Sequence, residues 1–94
     1  MILNLLIRKK LLMEKRIGSI LIVIKEKHDI DKMNHILSSY ANIILGRQGL
    51  SLKDHSINVI SLVLEGRTDD INALTGKLGR LNGITVKSVL SKED

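Results

Sequence analysis

An α+β domain with the element order strand, helix, strand, strand, helix, strand is what this sequence predicts. Three observations carry that prediction. The chain has 94 residues, enough for one hydrophobic core and not for two. Of its residues 44% are hydrophobic but only 1% aromatic, Tyr40 alone, so the core must be built from Ile, Leu and Val, and the β-branched share favours strands. Finally, apolar runs of strand length alternate in the right order with two segments whose apolar residues recur at helical spacing.

The first strand is "RIGSILIVIK", residues 16–25, a nearly unbroken apolar run. In the next segment Asp29 can cap a helix in which Ile30, Met33, Leu37 and Tyr40 form one face. Residues 42–48, "NIILGRQ", read as a second strand ending at the glycines Gly46 and Gly49, and "GLSLKDHS" as a polar loop. The third strand is "INVISLVLE", 57–65, broken by Gly66. Thr68 can cap a second helix whose first turn holds Asp69 and Asp70, favourable at the positive end of the helix dipole. Ile71, Leu74, Leu78 and Leu81 give that helix its apolar stripe. An Asn82-Gly83 turn leads into the last strand, "ITVKSVL", 84–90. The order βαββαβ is the ferredoxin-like split arrangement: a four-stranded antiparallel sheet with both helices on one face.

Such a sheet should show polar residues on its open face. Here it does not: Ile57, Val59 and Val63 fall on one side of the third strand, and Ile60, Leu62 and Leu64 on the other. An apolar patch of several hundred Å² is worth several kcal/mol on burial at about 25 cal/mol per Å². The sequence therefore predicts a cover, most simply a second copy in a homodimer or homotetramer, with Ile20, Ile22, Ile60 and Leu62 as the expected contact face. The alternative cover is the N-terminal leader folded back.

The net charge of +5 resides in that leader: setting aside Arg8, Lys9 and Lys10 leaves +2 for residues 13–94. The leader, residues 1–12, reads as a poorly ordered extension ahead of Met13, with a short membrane-surface helix as the alternative. Its apolar run is too short to span a bilayer, and its charges follow the run, unlike those of a signal peptide. No cysteine occurs, which removes disulfides, thiolate metal sites and a cysteine nucleophile, and fits a cytoplasmic protein. His28, His35 and His55 lack metal-site spacing within one chain, and no catalytic set stands out, so neither a metal, a cofactor nor an enzymatic activity is predicted. The aromatic platforms of an RNA-binding sheet are missing, so nucleic acid is not an expected partner beyond weak contact with DNA through the basic leader.

Two glycine-containing stretches remain. "GRQG", 46–49, follows a strand but opens no helix, so it reads as a bend or bulge in which Arg47 and Gln48 can meet an anion. In "ALTGKLG", 73–79, Gly79 lets the helix end, whereas Gly76 lies opposite the apolar stripe, where a bare face permits close approach. Gly46, Arg47, Gln48, Gly49, Thr75, Gly76, Lys77 and Gly79 are accordingly the candidate contact residues for a small effector or a partner protein.

"MEKRIGSILIVI" at 13–24, "ILGRQGL" at 44–50, "INVISLVLEG" at 57–66 and "ALTGKLGRLNGITVKSVLSK" at 73–92 resemble the small iron-only hydrogenase system regulators. The resemblance runs from Met13 onward and implies an ACT-like domain, similar to the metal-binding C-terminal domain of nickel-responsive regulators, with a regulatory role beside iron-only hydrogenase. It does not carry nickel sensing: the leader is too short for a ribbon-helix-helix module, and the cysteine ligand is absent. Nor does it carry amino-acid binding, since "KEKHDID" stands where ACT domains that bind amino acids have a glycine-containing loop. Gly46, Arg47, Gly49, Thr75, Gly76, Lys77 and Gly79 match the family pattern.

Overall fold

The computed structural model describes residues 2–91, with side chains undescribed over 8–13. Its centre is β1 (Lys15–Ile24), the strand with the longest β-branched run. Together with β2 (Ile44–Leu52), β3 (Ile57–Arg67) and β4 (Ile84–Leu90), it forms one antiparallel sheet in the order β2-β3-β1-β4. Helices α2 (Ile30–Ser39) and α3 (Thr68–Gly79) supply its cover. Side chains alternate along each strand, and in β1 it is Ile20, Ile22 and Ile24 that are buried. Pairings Ile20↔Leu62 and Ile22↔Ile60 to β3, and Ile24↔Ile84 to β4, line up one aliphatic face. Met33 and Leu37 of α2 and Ile71, Leu74 and Leu78 of α3 close over it. Burying each such side chain is worth about 1.5–3 kcal/mol. The ferredoxin-like architecture is the one expected.

The facing of the sheet is the reverse of the expectation. Ile20, Ile22, Ile60 and Leu62, expected on the oligomer face, are at most 7% exposed and lie under the helices. The open face carries Ile17 and Leu21 of β1, Val63 of β3 and Val89 of β4, between 44% and 70% exposed. Both faces of the central strands β1 and β3 are largely aliphatic, so in them alternation marks two sides without saying which one the helices choose.

Local departures follow from long-range pairing. The segment read as a polar loop is largely strand: β2 runs to Leu52, pairing Leu50↔Val59 and Leu52↔Ile57. The reversal is confined to a 3₁₀ turn at Lys53–His55 and a left-handed Ser56 at φ 55°. Gly66 does not end β3, which continues to Arg67. Its missing side chain seats Ile43 instead: a Cβ there would stand 3.1 Å from Ile43 Cγ2. Thr68 is the first residue of α3, and Arg67 occupies the cap position, its Nε 3.4 Å from the Asp70 carboxylate.

Asp29 stands at the N-cap of α2 but its side chain caps nothing there. It is buried, and its Oδ2 accepts the Asn82 N–H at 2.7 Å, with Lys32 Nζ 3.8 Å from Oδ1. Alongside, the Gly83 carbonyl accepts the N–H groups of Lys25 at 2.8 Å and Glu26 at 3.2 Å. Three hydrogen bonds thus fasten the β1–α2 loop to the α3–β4 turn, across more than fifty residues of sequence.

Residues 2–13 form a helix, α1 (Ile2–Met13), where a poorly ordered leader was the expectation. Leucine, lysine and arginine are good helix formers, and no Gly or Pro interrupts them. The chain extends 54 × 23 × 19 Å with a radius of gyration of 15.2 Å. A compact chain of this length has about 12 Å. Among the described residues no helix is long and apolar enough to cross a membrane.

Candidate functional site

The GRQG segment lies in the edge strand β2. The register slips between Ile44 and Gly46, placing a bulge at Leu45, just ahead of the segment expected to bend; residues 46–49 themselves pair residue for residue within β2 and do not end it. Beyond the bulge, Gly46 pairs with Val63 and Gln48 with Ser61, on the open face, whereas Arg47 pairs with Leu62 and stands on the helix side. Because β2 is the edge, α2 only partly covers it. Arg47 therefore lines a groove of about 470 Å³ with Asn34, Leu37, Ser38, Ala41 and Ile44. This groove holds one cation, two polar side chains and no carboxylate, a lining suited to an anionic group. Nothing stands within 4 Å of where a Cβ would be at Gly46 or Gly49, so close packing does not explain either glycine.

The second half of the candidate site is on α3. Here three of the four residues have work inside the chain. The Thr75 hydroxyl donates to the Ile71 carbonyl at 2.8 Å, Lys77 Nζ sits 5.0 Å from the centre of the Tyr40 ring, and Gly79 lies against Val86. Gly76 alone faces open space. No α3 residue lines the Arg47 groove. Arg47 belongs to the β2 edge, while α3 packs mainly against β4 and also against β3, β1 and α2, its Lys77 reaching Tyr40 beside the groove residue Ala41.

An alanine at 76 meets no obstacle and removes a helix-interior glycine. Gly76→Ala should raise stability by about 0.5–1 kcal/mol in thermal melts. If the bare face is a contact surface, Gly76→Leu should keep that gain in the isolated domain but weaken association, as read by light scattering.

The histidines stay apart: His28 pairs with Glu26 at 3.4 Å, His35 borders a shallow groove with Ile36 and Leu81, and His55 is at the β2–β3 turn. Among the described residues no group of three or more His, Asp or Glu is placed to hold a metal ion. Two features escaped sequence reasoning. One is the Asp29–Asn82 clamp, since Asp29 looks like an ordinary helix cap. The other is the tilt of Arg47 into the α2 groove, which pairing register alone reveals.

The overall fold is shared with proteins of known structure. The model of the TM1266-like family, described as "Iron-only hydrogenase system regulator, putative", matches residues 16–88. The chain belongs to the TM1266-like family. Protein TM1266 from Thermotoga maritima, itself uncharacterized, is 35% identical, with a TM-score of 0.79 over 84% of this chain and 100% of that one. The ACT domain of the GTP pyrophosphokinase of Chlorobium tepidum is 23% identical, with a TM-score of 0.64 over 85% of this chain and 92% of that one. An ACT domain protein from Streptococcus pneumoniae is 14% identical, with a TM-score of 0.54 over 80% of this chain and 89% of that one. These last two likenesses establish an ACT-like fold for the TM1266-like chain and nothing about its ligand. No curated protein matches it. The family match begins at Arg16, so α1 lies outside it.

Proposed function

We propose that this TM1266-like chain is a noncatalytic, cytoplasmic regulatory module of an iron-only hydrogenase system. It works without a cofactor, as a homodimer or homotetramer joined through the open face of its sheet. The observation that carries this reading is that face: Ile17, Leu21, Val63 and Val89 are 44–70% exposed, with Leu50 and Leu52 of β2 beside them. A surface of that character is maintained in water only at a cost of several kcal/mol at about 25 cal/mol per Å², and a like subunit removes it. Light scattering on the full chain at micromolar concentration tests this: two or four subunits are expected, and a clean monomer overturns it.

A second reading, a small-ligand sensor, is favoured by Arg47 in its carboxylate-free groove. The ligand would carry an anionic group, and binding would shift the oligomer equilibrium. Calorimetric titration with nickel, iron, amino acids and nucleotides separates the two readings. Heat that disappears in Arg47→Ala supports the sensor; no heat and no thermal shift with any of them leaves the interaction module.

A further inference from the structure

We propose that α1 is an exchanged arm: in the assembly, the helix Ile2–Met13 of one copy lies on the open sheet face of another. The inference rests on the self-association just proposed and names what does the covering. Among the described residues, two unburied aliphatic surfaces stand out. One is the sheet face with Leu21 and Val63; the other is the N-terminal half of α1, where Ile2, Leu3, Leu5, Leu6 and Ile7 are 48–76% exposed. Each is what the other lacks.

Geometry argues against pairing them within one chain. A single residue, Glu14, separates α1 from β1. Laying the helix back on its own sheet requires a complete reversal there, while helix–strand connections ordinarily take about 2–6 residues. A helix must also stand about 10 Å off the sheet it covers, a gap one residue of about 3.5 Å cannot bridge while reversing. The helix meets the body at α3, on the covered side, and leaves the open face bare. The elongation to 54 Å, against 23 and 19 Å across, fits an arm that reaches away.

The dimensions suit delivery to a neighbour. Twelve helical residues span about 18 Å, and four strands are about 14–19 Å wide. The continuous apolar run of α1, broken only by Asn4, is in the half farthest from β1, where an arm engages a second copy, and the basic Arg8-Lys9-Lys10 follows it at mid-helix. In a two-fold dimer each copy gives one arm and takes one, so the contact closes without propagating into fibres.

The absence of cysteine makes cross-linking clean. Full-length Leu6→Cys and Leu21→Cys chains, co-expressed and mildly oxidised, should give a mixed disulfide-linked dimer on non-reducing gels. Its yield should exceed at least about tenfold that of Leu6→Cys with Lys32→Cys on the helix side. As a second reading, Leu5→Glu with Leu6→Glu should raise the dimer dissociation constant at least about tenfold in light scattering, with the thermal melt of the domain retained. Disulfides formed only between Leu21→Cys copies, or only between Leu6→Cys copies, overturn the arm and leave self-association standing. An exclusively intrachain disulfide in the Leu6→Cys, Leu21→Cys double variant also overturns it. Monomers throughout overturn both proposals.

Discussion

Gly83→Ala should melt about 15 °C below the parent chain. Gly83 sits at φ +76°, a left-handed conformation that costs a residue with a Cβ about 1–2 kcal/mol. An added Cβ would stand 2.5 Å from Glu26 Cβ and 2.9 Å from the Glu26 carbonyl oxygen. The obstacle is largely main chain, so no side-chain rotation clears it, and overpacking adds about 1–3 kcal/mol. Moving the loop away is costly too, because the Gly83 carbonyl holds the Lys25 and Glu26 N–H groups and Asp29 holds the Asn82 N–H. Together these come to about 3 kcal/mol, and each kcal/mol shifts the melting temperature of a domain this size by about 4–8 °C. Thermal unfolding followed by circular dichroism checks it. A loss below about 4 °C would mean that the turn relaxes and the clamp is unimportant. Gly76→Ala, with an added Cβ in open space, is the control of opposite sign.

A glutamate placed at 62 and one placed at 63 should have opposite kinds of effect. Leu62 is fully buried between Ile20 and the helices, and the cation opposite it, Arg47 of β2, is exposed at the sheet edge and would have to be drawn inward to meet a carboxylate there. Even Leu62→Ala should cost about 3–5 kcal/mol through the lost apolar contacts and the cavity. Leu62→Glu adds desolvation of a charge and should leave the chain unfolded, since small domains have about 5–15 kcal/mol in all. Its neighbour Val63 is 46% exposed on the open face. Val63→Glu should fold with a stability change within about 1 kcal/mol while weakening self-association at least tenfold. Circular dichroism and light scattering on the two variants read both quantities. A Val63→Glu chain that assembles like the parent would remove the open face from the interface. Because Arg47 stands opposite, the decisive chain is Leu62→Glu with Arg47→Ala: if it folds, it contradicts the facing of the whole sheet.

Those neighbours show where sequence reasoning reached its limit. The strands β1, β3 and β4 were legible because their β-branched runs have strand length, and both helices because Met33 with Leu37, and Ile71 with Leu74 and Leu78, recur at helical spacing. These are local properties, written within a dozen residues. The Asn82-Gly83 turn was legible for the same reason, though not what it holds. The length of β2 was not: Leu50 and Leu52 sit among polar residues, and what makes them strand is backbone pairing with Val59 and Ile57. For the candidate site, Arg47 was singled out on its glycine setting, but not the groove it forms with α2, which Gly76 does not line.

What the sequence by itself determined is the set of elements and their order, because period, turn chemistry and length suffice for that. It also determined that β1 and β3 are largely aliphatic on both sides, the observation from which a second cover is proposed. Only the tertiary structure decided which side the helices took, that Asp29 reaches Asn82 instead of capping α2, and that Arg47 joins a groove with α2 that α3 does not line. The physical reason is common to all three. Each depends on contacts between residues far apart in the chain, and the local pattern at either end is equally compatible with the other arrangement.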